Sequence, residues 1–224
     1  MGETAGQPRA SVLDEAAAAH EADYQAAGEG TFTWVDPDEG PKRRLALDVI
    51  RTLPRPVRLL DYGCGNGRFT AFFHQTGCEA IGTDVSQTAI ALNRQEYPHL
   101  SFSAMTGTYA CPYDDQSFDA VFCSEVIEHV YDGAALLTEC RRLLRPGGLV
   151  LLTTPHHGRL KNVLTGLFSF EKHFDPFDRH IRFWTRNGLA RACQASGLVP
   201  VRWDYIGRWR PVARSLFMVS RREG

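Results

Sequence analysis

From residue 57 onward, short apolar runs alternate with segments in which apolar residues recur every three or four positions. The runs at 57–61, 79–83, 100–105, 120–124 and 149–153 have the length of strands, and the helical patterns at 67–75, 86–96 and 133–144 fall between them. That rhythm predicts an α/β fold, a Rossmann-like, mostly parallel sheet with helices on both faces. A last helix at 186–196 precedes two more strands, 199–206 and 215–220, which complete the sheet as an antiparallel hairpin. Upstream, Asp14 to Ala27 is alanine-rich and predicts a helix. A second helix is announced by Asp36 as N-cap, Pro37 at the first position and acidic Asp38 and Glu39, and should run to about Thr52. Residues 1–12 lack periodicity and read as a tail. The expected division is therefore an N-terminal tail and helix over 1–30 and one domain over 31–224.

Two places break the rhythm. Arg145-Pro146-Gly147-Gly148 predicts a stop and turn ahead of the strand at 149–153. Between about 155 and 185 the pattern loosens into aromatics, histidines and glycines, with no regular element expected; a loop of that length in an α/β domain reads as a lid over an acceptor pocket.

Composition narrows the class. At 43% hydrophobic and 23% charged the chain is an ordinary globular one, and no apolar run approaches the roughly 20 residues of a membrane span. No membrane partner is expected. The first twenty residues carry Glu3, Asp14 and Glu15 and no apolar core, so no targeting signal is read and a cytoplasmic location is expected. Cys64, Cys78, Cys111, Cys123, Cys140 and Cys193 are scattered without C-x-x-C spacing, which argues against zinc knuckles and disulfides alike. The net charge of -1 hides an asymmetry: residues 141–224 hold 16 Lys and Arg against 5 Asp and Glu, and residues 1–140 hold 9 against 21. Either the basic part meets an anionic partner or the two halves attract each other in the fold.

Chemistry concentrates after the first strand. Asp61-Tyr62-Gly63-Cys64-Gly65-Asn66-Gly67 ends a buried strand and opens a helix, where a glycine-rich turn brings backbone N–H groups against a ligand. Asp84 ends the next strand about twenty residues on, where a carboxylate can accept both hydroxyls of a ribose. The glycines are spaced G-x-G-x-G, unlike the G-x-G-x-x-G that admits a dinucleotide's pyrophosphate. Asp61 would also repel a pyrophosphate but suits a cationic amino group.

Asp61 to Gly67, Asp84, Ser117-Phe118-Asp119-Ala120-Val121, Glu125-Val126-Ile127-Glu128-His129-Val130 and Leu144-Arg145-Pro146-Gly147-Gly148 resemble, in order, the motifs of class I S-adenosylmethionine-dependent methyltransferases. The resemblance covers roughly residues 57–155 and implies a seven-stranded sheet with the last strand inserted antiparallel, the donor at the C-terminal strand ends, and S-adenosylhomocysteine as product. It places Asp61, Gly63, Cys64 and Gly65 around the methionine portion, Asp84 on the ribose, Val85 against the adenine, and Ser124 and Glu125 below the donor. Relatives carry an Asp that bonds the adenine amino group; here Thr106, Gly107 and Thr108 stand in that region, leaving the contact to backbone or hydroxyl groups. An N-terminal arginine, Arg43 or Arg44, would reach the donor carboxylate, as in ubiquinone-type O-methyltransferases.

On the acceptor side, Glu125-x-x-Glu128-His129 sets two carboxylates three apart with an imidazole beside the second, a cluster able to bind a divalent metal or relay protons. It is similar to the Glu-x-x-Glu-His motif that supplies metal ligands in ubiquinone-biosynthesis O-methyltransferases and small-RNA 2′-O-methyltransferases. The latter add a His four residues before a Trp, as His180 stands before Trp184. The resemblance thus implies a site of Glu125, Glu128, His129 and His180; the plainer alternative is that Glu128 and His129 cap the following helix. His129 is the expected base, with Glu128 and His180 beside it. The expected activity is methyl transfer to a hydroxyl, or an amine, of a small molecule. A small-RNA 3′-terminal 2′-O-methyltransferase and a non-catalytic donor-binding scaffold are the alternatives; with no RNA-binding module visible, nucleic acid is the lesser partner. Monomer and homodimer stay open.

Overall fold

The computed structural model describes residues 21, 22, 24, 25, 36–107, 109–174, 180–207 and 210–224. The tail expected over 1–12, Thr108 and Trp209 lie outside the described residues.

Seven strands form one sheet in the order β3-β2-β1-β4-β5-β7-β6. They are β1 (Arg58–Tyr62), β2 (Glu79–Asp84), β3 (Ser101–Ala104), β4 (Phe118–Ser124), β5 (Leu144–Pro155), β6 (Leu198–Ile206) and β7 (Ser215–Arg222). Strands β1 to β5 pair in parallel, and β7 enters between β5 and β6 antiparallel to both. The order turns outward on either side of β1 and β4, so the C-terminal ends of those two strands face a crevice, the place where an open parallel sheet binds its ligand.

Both sheet faces are covered, which is why the strands read as nearly unbroken apolar runs. On one face Leu59, Phe122, Leu151 and Phe217 pack against Ala46, Val49 and Ile50 of α1 (Glu39–Ile50) and Phe73 of α2 (Arg68–Gln75). On the other, Leu60, Val121, Val150 and Met218 pack against Leu136, Leu137 and Cys140 of α4 (Gly133–Leu143) and Leu189 and Cys193 of α7 (Arg186–Ala195). Between them in the chain, α3 (Gln87–Glu96) starts at Ser86, whose hydroxyl accepts the Ala89 N–H at 3.0 Å. All six cysteines are free and buried.

The expectations fail in three places. The turn at Arg145–Gly148 lies inside β5 as an irregularity. Leu144 pairs with Phe118 and Leu149 with Ala120, so the residues between loop out and the strand resumes. The segment expected to be irregular holds α5 (Arg159–Phe168) and the short α6 (Phe170–His173). The first helix also begins later than Asp36, at Glu39, with Asp38 in the cap position.

Candidate functional site

The glycine loop is shaped by three left-handed residues, Gly63 at φ 73°, Gly65 at 52° and Gly67 at 71°. A Cβ on Gly63 would stand 2.5 Å from Val126 Cγ2, so both the conformation and the space demand glycine there. Gly63 and Cys64 donate their N–H groups to the Thr83 carbonyl, which ties the loop to the end of β2. From α3, buried Asn93 donates to the Gly65 carbonyl at 2.7 Å. Asp84 accepts the Gly65 N–H at 2.9 Å on one oxygen and the Ser86 N–H at 2.9 Å on the other.

Asp61 sits beneath the loop, buried, accepting a 2.6 Å hydrogen bond from Thr70 of α2. Burial pushes its carboxyl up to about 7, and the neighbouring charge of Asp84 adds to the shift. Val85 is half-buried beyond Asp84, while Thr106 and Gly107 are exposed at the end of β3. The Thr106 N–H is taken by the Ala110 carbonyl at 2.9 Å, and Gly107 adopts φ 124°.

Sequence reading missed two groups that close this side. Lys42 of α1 is buried, its ammonium 2.7 Å from Asp36 Oδ2 and 2.9 Å from Glu125 Oε1. Burial works against its charge, but Glu125 and Asp36 outweigh it and hold the ammonium above the usual lysine value. Arg44, the expected cation, is exposed on the same helix, and Arg43 pairs with Glu39 at 2.6 Å. The signal was present: positions 42, 46, 49 and 50 make one helical face, and three of them are Ala46, Val49 and Ile50. Tyr24 is the second. Its hydroxyl lies 3.0 Å from where a Gly65 Cβ would be, and burial, then the charges of Asp84 and Cys64, raise its phenol above the ordinary value. Glu21, one turn earlier, accepts hydrogen bonds from the Thr88 N–H and hydroxyl and is thereby held at about 2. No spacing links Tyr24 to the loop in sequence.

Strand β4 delivers the other side. Ser124 Oγ lies 2.8 Å from Thr153 Oγ1, which donates to Glu125 at 2.8 Å. Glu125 has φ 54°, an uncommon conformation for a residue with a side chain, and it turns the carboxylate toward Lys42. Glu128 is fully enclosed. Thr154 donates to its Oε2 at 3.1 Å, while its Oε1 has no hydrogen-bond partner among the described residues. Burial, reinforced by Glu125, pushes the Glu128 carboxyl well above the usual range. His129 Nε2 stands 3.9 Å from Glu128 Oε1, and the His129 and His180 rings are 4.8 Å apart.

Ligand atoms of Glu128, His129 and His180 all lie within 4.8 Å of one another, so three of the four expected metal ligands converge. Glu125 is not in that group and is engaged by Lys42 and Thr153. An orphaned carboxylate oxygen beside two imidazoles is a donor set that fits a divalent transition metal. The chain just after His180 is fastened to the backbone of Ile127 and Glu128. The Ile181 and Arg182 N–H groups donate to the Glu128 carbonyl at 3.0 and 3.1 Å, and the Trp184 indole donates to the Ile127 carbonyl at 3.2 Å. Behind it, His157 packs on Phe183 at 4.8 Å and His156 on Tyr205 at 5.2 Å. Trp203 is partly buried against the core.

Comparison with known proteins agrees with this architecture. The family described as a methyltransferase domain matches residues 33–202. A ubiquinone biosynthesis O-methyltransferase of Cereibacter sphaeroides is 36% identical over 123 residues, covering 50% of this chain and 49% of that protein. The chain thus spans about half the length of curated relatives of this kind. The Burkholderia thailandensis 1,6-didemethyltoxoflavin-N1-methyltransferase, solved with 1,6-didemethyltoxoflavin and S-adenosylhomocysteine bound, superposes with a TM-score of 0.68 at 20% identity, covering 98% of this chain and 94% of that one. The [4+2]-cyclase SpnF superposes with a TM-score of 0.68 at 16% identity, covering 98% and 99%. These two likenesses are of fold alone. The family match takes in each strand end and loop from which the crevice is built, and the chain belongs to the methyltransferase-domain family, as a class I, Rossmann-like member of the S-adenosylmethionine-dependent kind.

Proposed function

We propose that this protein transfers the methyl group of S-adenosylmethionine to a hydroxyl of a small-molecule acceptor. The observation that carries the reading is the cluster of Glu128, His129 and His180, the first two on the loop after β4 whose Val126 packs against Gly63. The donor supplies a methyl group already activated on a sulfonium. Asp84, oriented by the Gly65 N–H, holds the ribose end, and Asp61 faces the donor's amino group. The chain's remaining task is alignment and proton removal. As the acceptor oxygen bonds to the methyl carbon and the carbon–sulfur bond breaks, the hydroxyl proton passes to His129. His180 and Glu128 fix the orientation of that imidazole. A divalent cation held by Glu128, His129 and His180 would lower the acceptor's pKa in place of the base. The O-methyltransferase names of the curated relatives support a hydroxyl over an amine.

The test is mass-spectrometric screening of phenols, sugars, amines and short RNAs for the gain of one CH2, with and without a chelator. Gain on a hydroxylated small molecule is expected. Gain confined to RNA, or tight donor binding with no product on any acceptor, contradicts the proposal.

A further inference from the structure

The C-terminal edge of the sheet carries a second group of polar side chains, which the proton and donor chemistry does not use. Pro155 of β5 and Ile206 of β6 both pair with Ser215 of β7, so His156 and Tyr205 stand at neighbouring strand ends on that edge. Their rings meet edge-on at 5.2 Å. Arg210, in the single helical turn Arg210–Val212 that follows β6, lies over the Tyr205 ring at 5.0 Å. Arg186, the first residue of α7, lies over the Trp203 ring at 5.2 Å. Trp203 and Tyr205 share one face of β6, because alternate residues of a strand point the same way. Both guanidiniums donate hydrogen bonds to the Tyr205 hydroxyl. Burial alone would raise that phenol, but the two arginines outweigh it and lower it.

Two cations drawn to one phenol repel each other, and no carboxylate among the described residues pairs with either. Asp204 is on the opposite face of β6, paired with Arg202 at 2.7 Å, and Glu171 of α6 has no ion pair with Arg186 or Arg210. Within the basic C-terminal part, Arg142, Arg145 and Arg214 do meet carboxylates, so these two arginines belong to the surplus that the fold leaves unspent. Stacking on the rings holds the guanidinium planes in place, and each carries more N–H donors than one phenol oxygen accepts. Beside them His156 is buried, and its Nδ1 has no hydrogen-bond partner among the described residues. Burial, then the charge of Lys161, keeps that imidazole below the usual histidine value, so it is neutral and able to present an N–H. A buried nitrogen without a protein partner, next to two guanidinium forks without a carboxylate, fits an oxyanion.

We propose that Arg186, Arg210, Tyr205 and His156 form an anion subsite that receives a carboxylate or phosphate group carried by the methyl acceptor. The subsite adjoins the acceptor side. The His157 N–H donates to the Trp184 carbonyl at 3.2 Å, which sets His156 and Arg186 on either side of one backbone hydrogen bond. The Trp184 indole in turn reaches the Ile127 carbonyl, on the loop that carries His129. An acceptor held by its oxyanion would extend from here toward the histidine cluster. In naming the acceptor class the proposal rests on the methyl-transfer reading above, but the anion contact itself is read by binding, without turnover.

The experiment is equilibrium binding of three probes to the full chain saturated with S-adenosylhomocysteine: a hydroxybenzoate, the corresponding neutral hydroxybenzamide and a hydroxyphenyl phosphate. The wild type should bind one or both anions at least about tenfold more tightly than the amide, the weight of a charge-assisted hydrogen bond, and the tighter of the two names the anion. Arg186→Met and Arg210→Met should each bring the anions down to the level of the amide, with the amide itself unchanged. S-adenosylhomocysteine affinity and circular dichroism should match the wild type in both variants, which separates loss of the subsite from loss of the fold. Equal wild-type affinity for all three probes, binding of none of them, or an anion preference that survives both substitutions overturns the proposal. An anion preference that each substitution abolishes, in a protein that methylates no hydroxylated acceptor, sustains the subsite and contradicts the transfer reaction instead.

Discussion

At the scale of single residues, Asp61 carries the sharpest consequence. Its carboxyl holds a proton up to about pH 7 in the folded chain, against an ordinary value of 3.8. Between those values the folded state binds more protons than the unfolded one, so the stability of the ligand-free protein falls as pH rises from about 4 to about 7. A cationic amino group arriving beside Asp61 favours the ionised form, so donor binding releases a proton in the same range. Donor affinity should rise with pH by up to about tenfold per unit below neutrality and level off above it. Isothermal titration across that range reads this directly. Asp61→Asn should flatten the profile and weaken binding; a wild-type affinity independent of pH would remove Asp61 from the donor contact. Gly63 was legible in the sequence because backbone conformation and close approach restrict it to one residue type, and Asp61 and Asp84 because each stands at the end of an apolar strand run. An arginine on a helix carries no such restriction, and Arg44 is exposed on α1. Its neighbour Lys42, two residues earlier, turned out to be the enclosed cation.

Elements were legible where their periodicity met a core. The strands and the helices α2, α3, α4 and α7 each bury a face that repeats with their own period, and their positions follow from the sequence to within a few residues. Helix α5 was missed although its apolar spacing is regular. Its surroundings are rich in Gly, His and aromatics, and with no partner for its apolar stripe among the described residues, the segment reads as a loop. The turn signal also misled at Arg145–Gly148, where Pro and Gly loop the chain out of β5 without ending the pairing of Phe118 with Leu144. Between elements, the Lys42 ion pairs fasten α1 to the end of β4. Lys42→Met would leave Asp36 and the partly buried Glu125 without their common partner, and should cost about 3 kcal/mol of unfolding free energy. Denaturant titration checks this. A loss below about 1 kcal/mol would mean that water reaches Glu125 and takes the place of the ammonium.

For the whole molecule, the charge asymmetry between the halves is partly spent inside the fold. Arg214 pairs with Asp38, Arg145 with Asp119 at 2.6 Å and Arg142 with Asp115 at 2.7 Å, each joining the basic part to the acidic one. These pairs are mostly solvent-exposed and each contributes little, but they account for basic residues that sequence alone could have assigned to an RNA partner. What the sequence could not convey is which carboxylate of the Glu-x-x-Glu-His segment meets the histidines. The backbone of Glu125 at φ 54° decides it, turning one carboxylate to Lys42 and leaving the other with His129 and His180. The account as a whole rests on His129 taking part in methyl transfer and not in donor binding. Donor affinity and single-turnover methylation of a hydroxylated acceptor, measured together in wild type and His129→Ala, test it most directly. The prediction is an unchanged donor affinity with transfer slowed by about a hundredfold or more. Transfer at the wild-type rate in His129→Ala would contradict it.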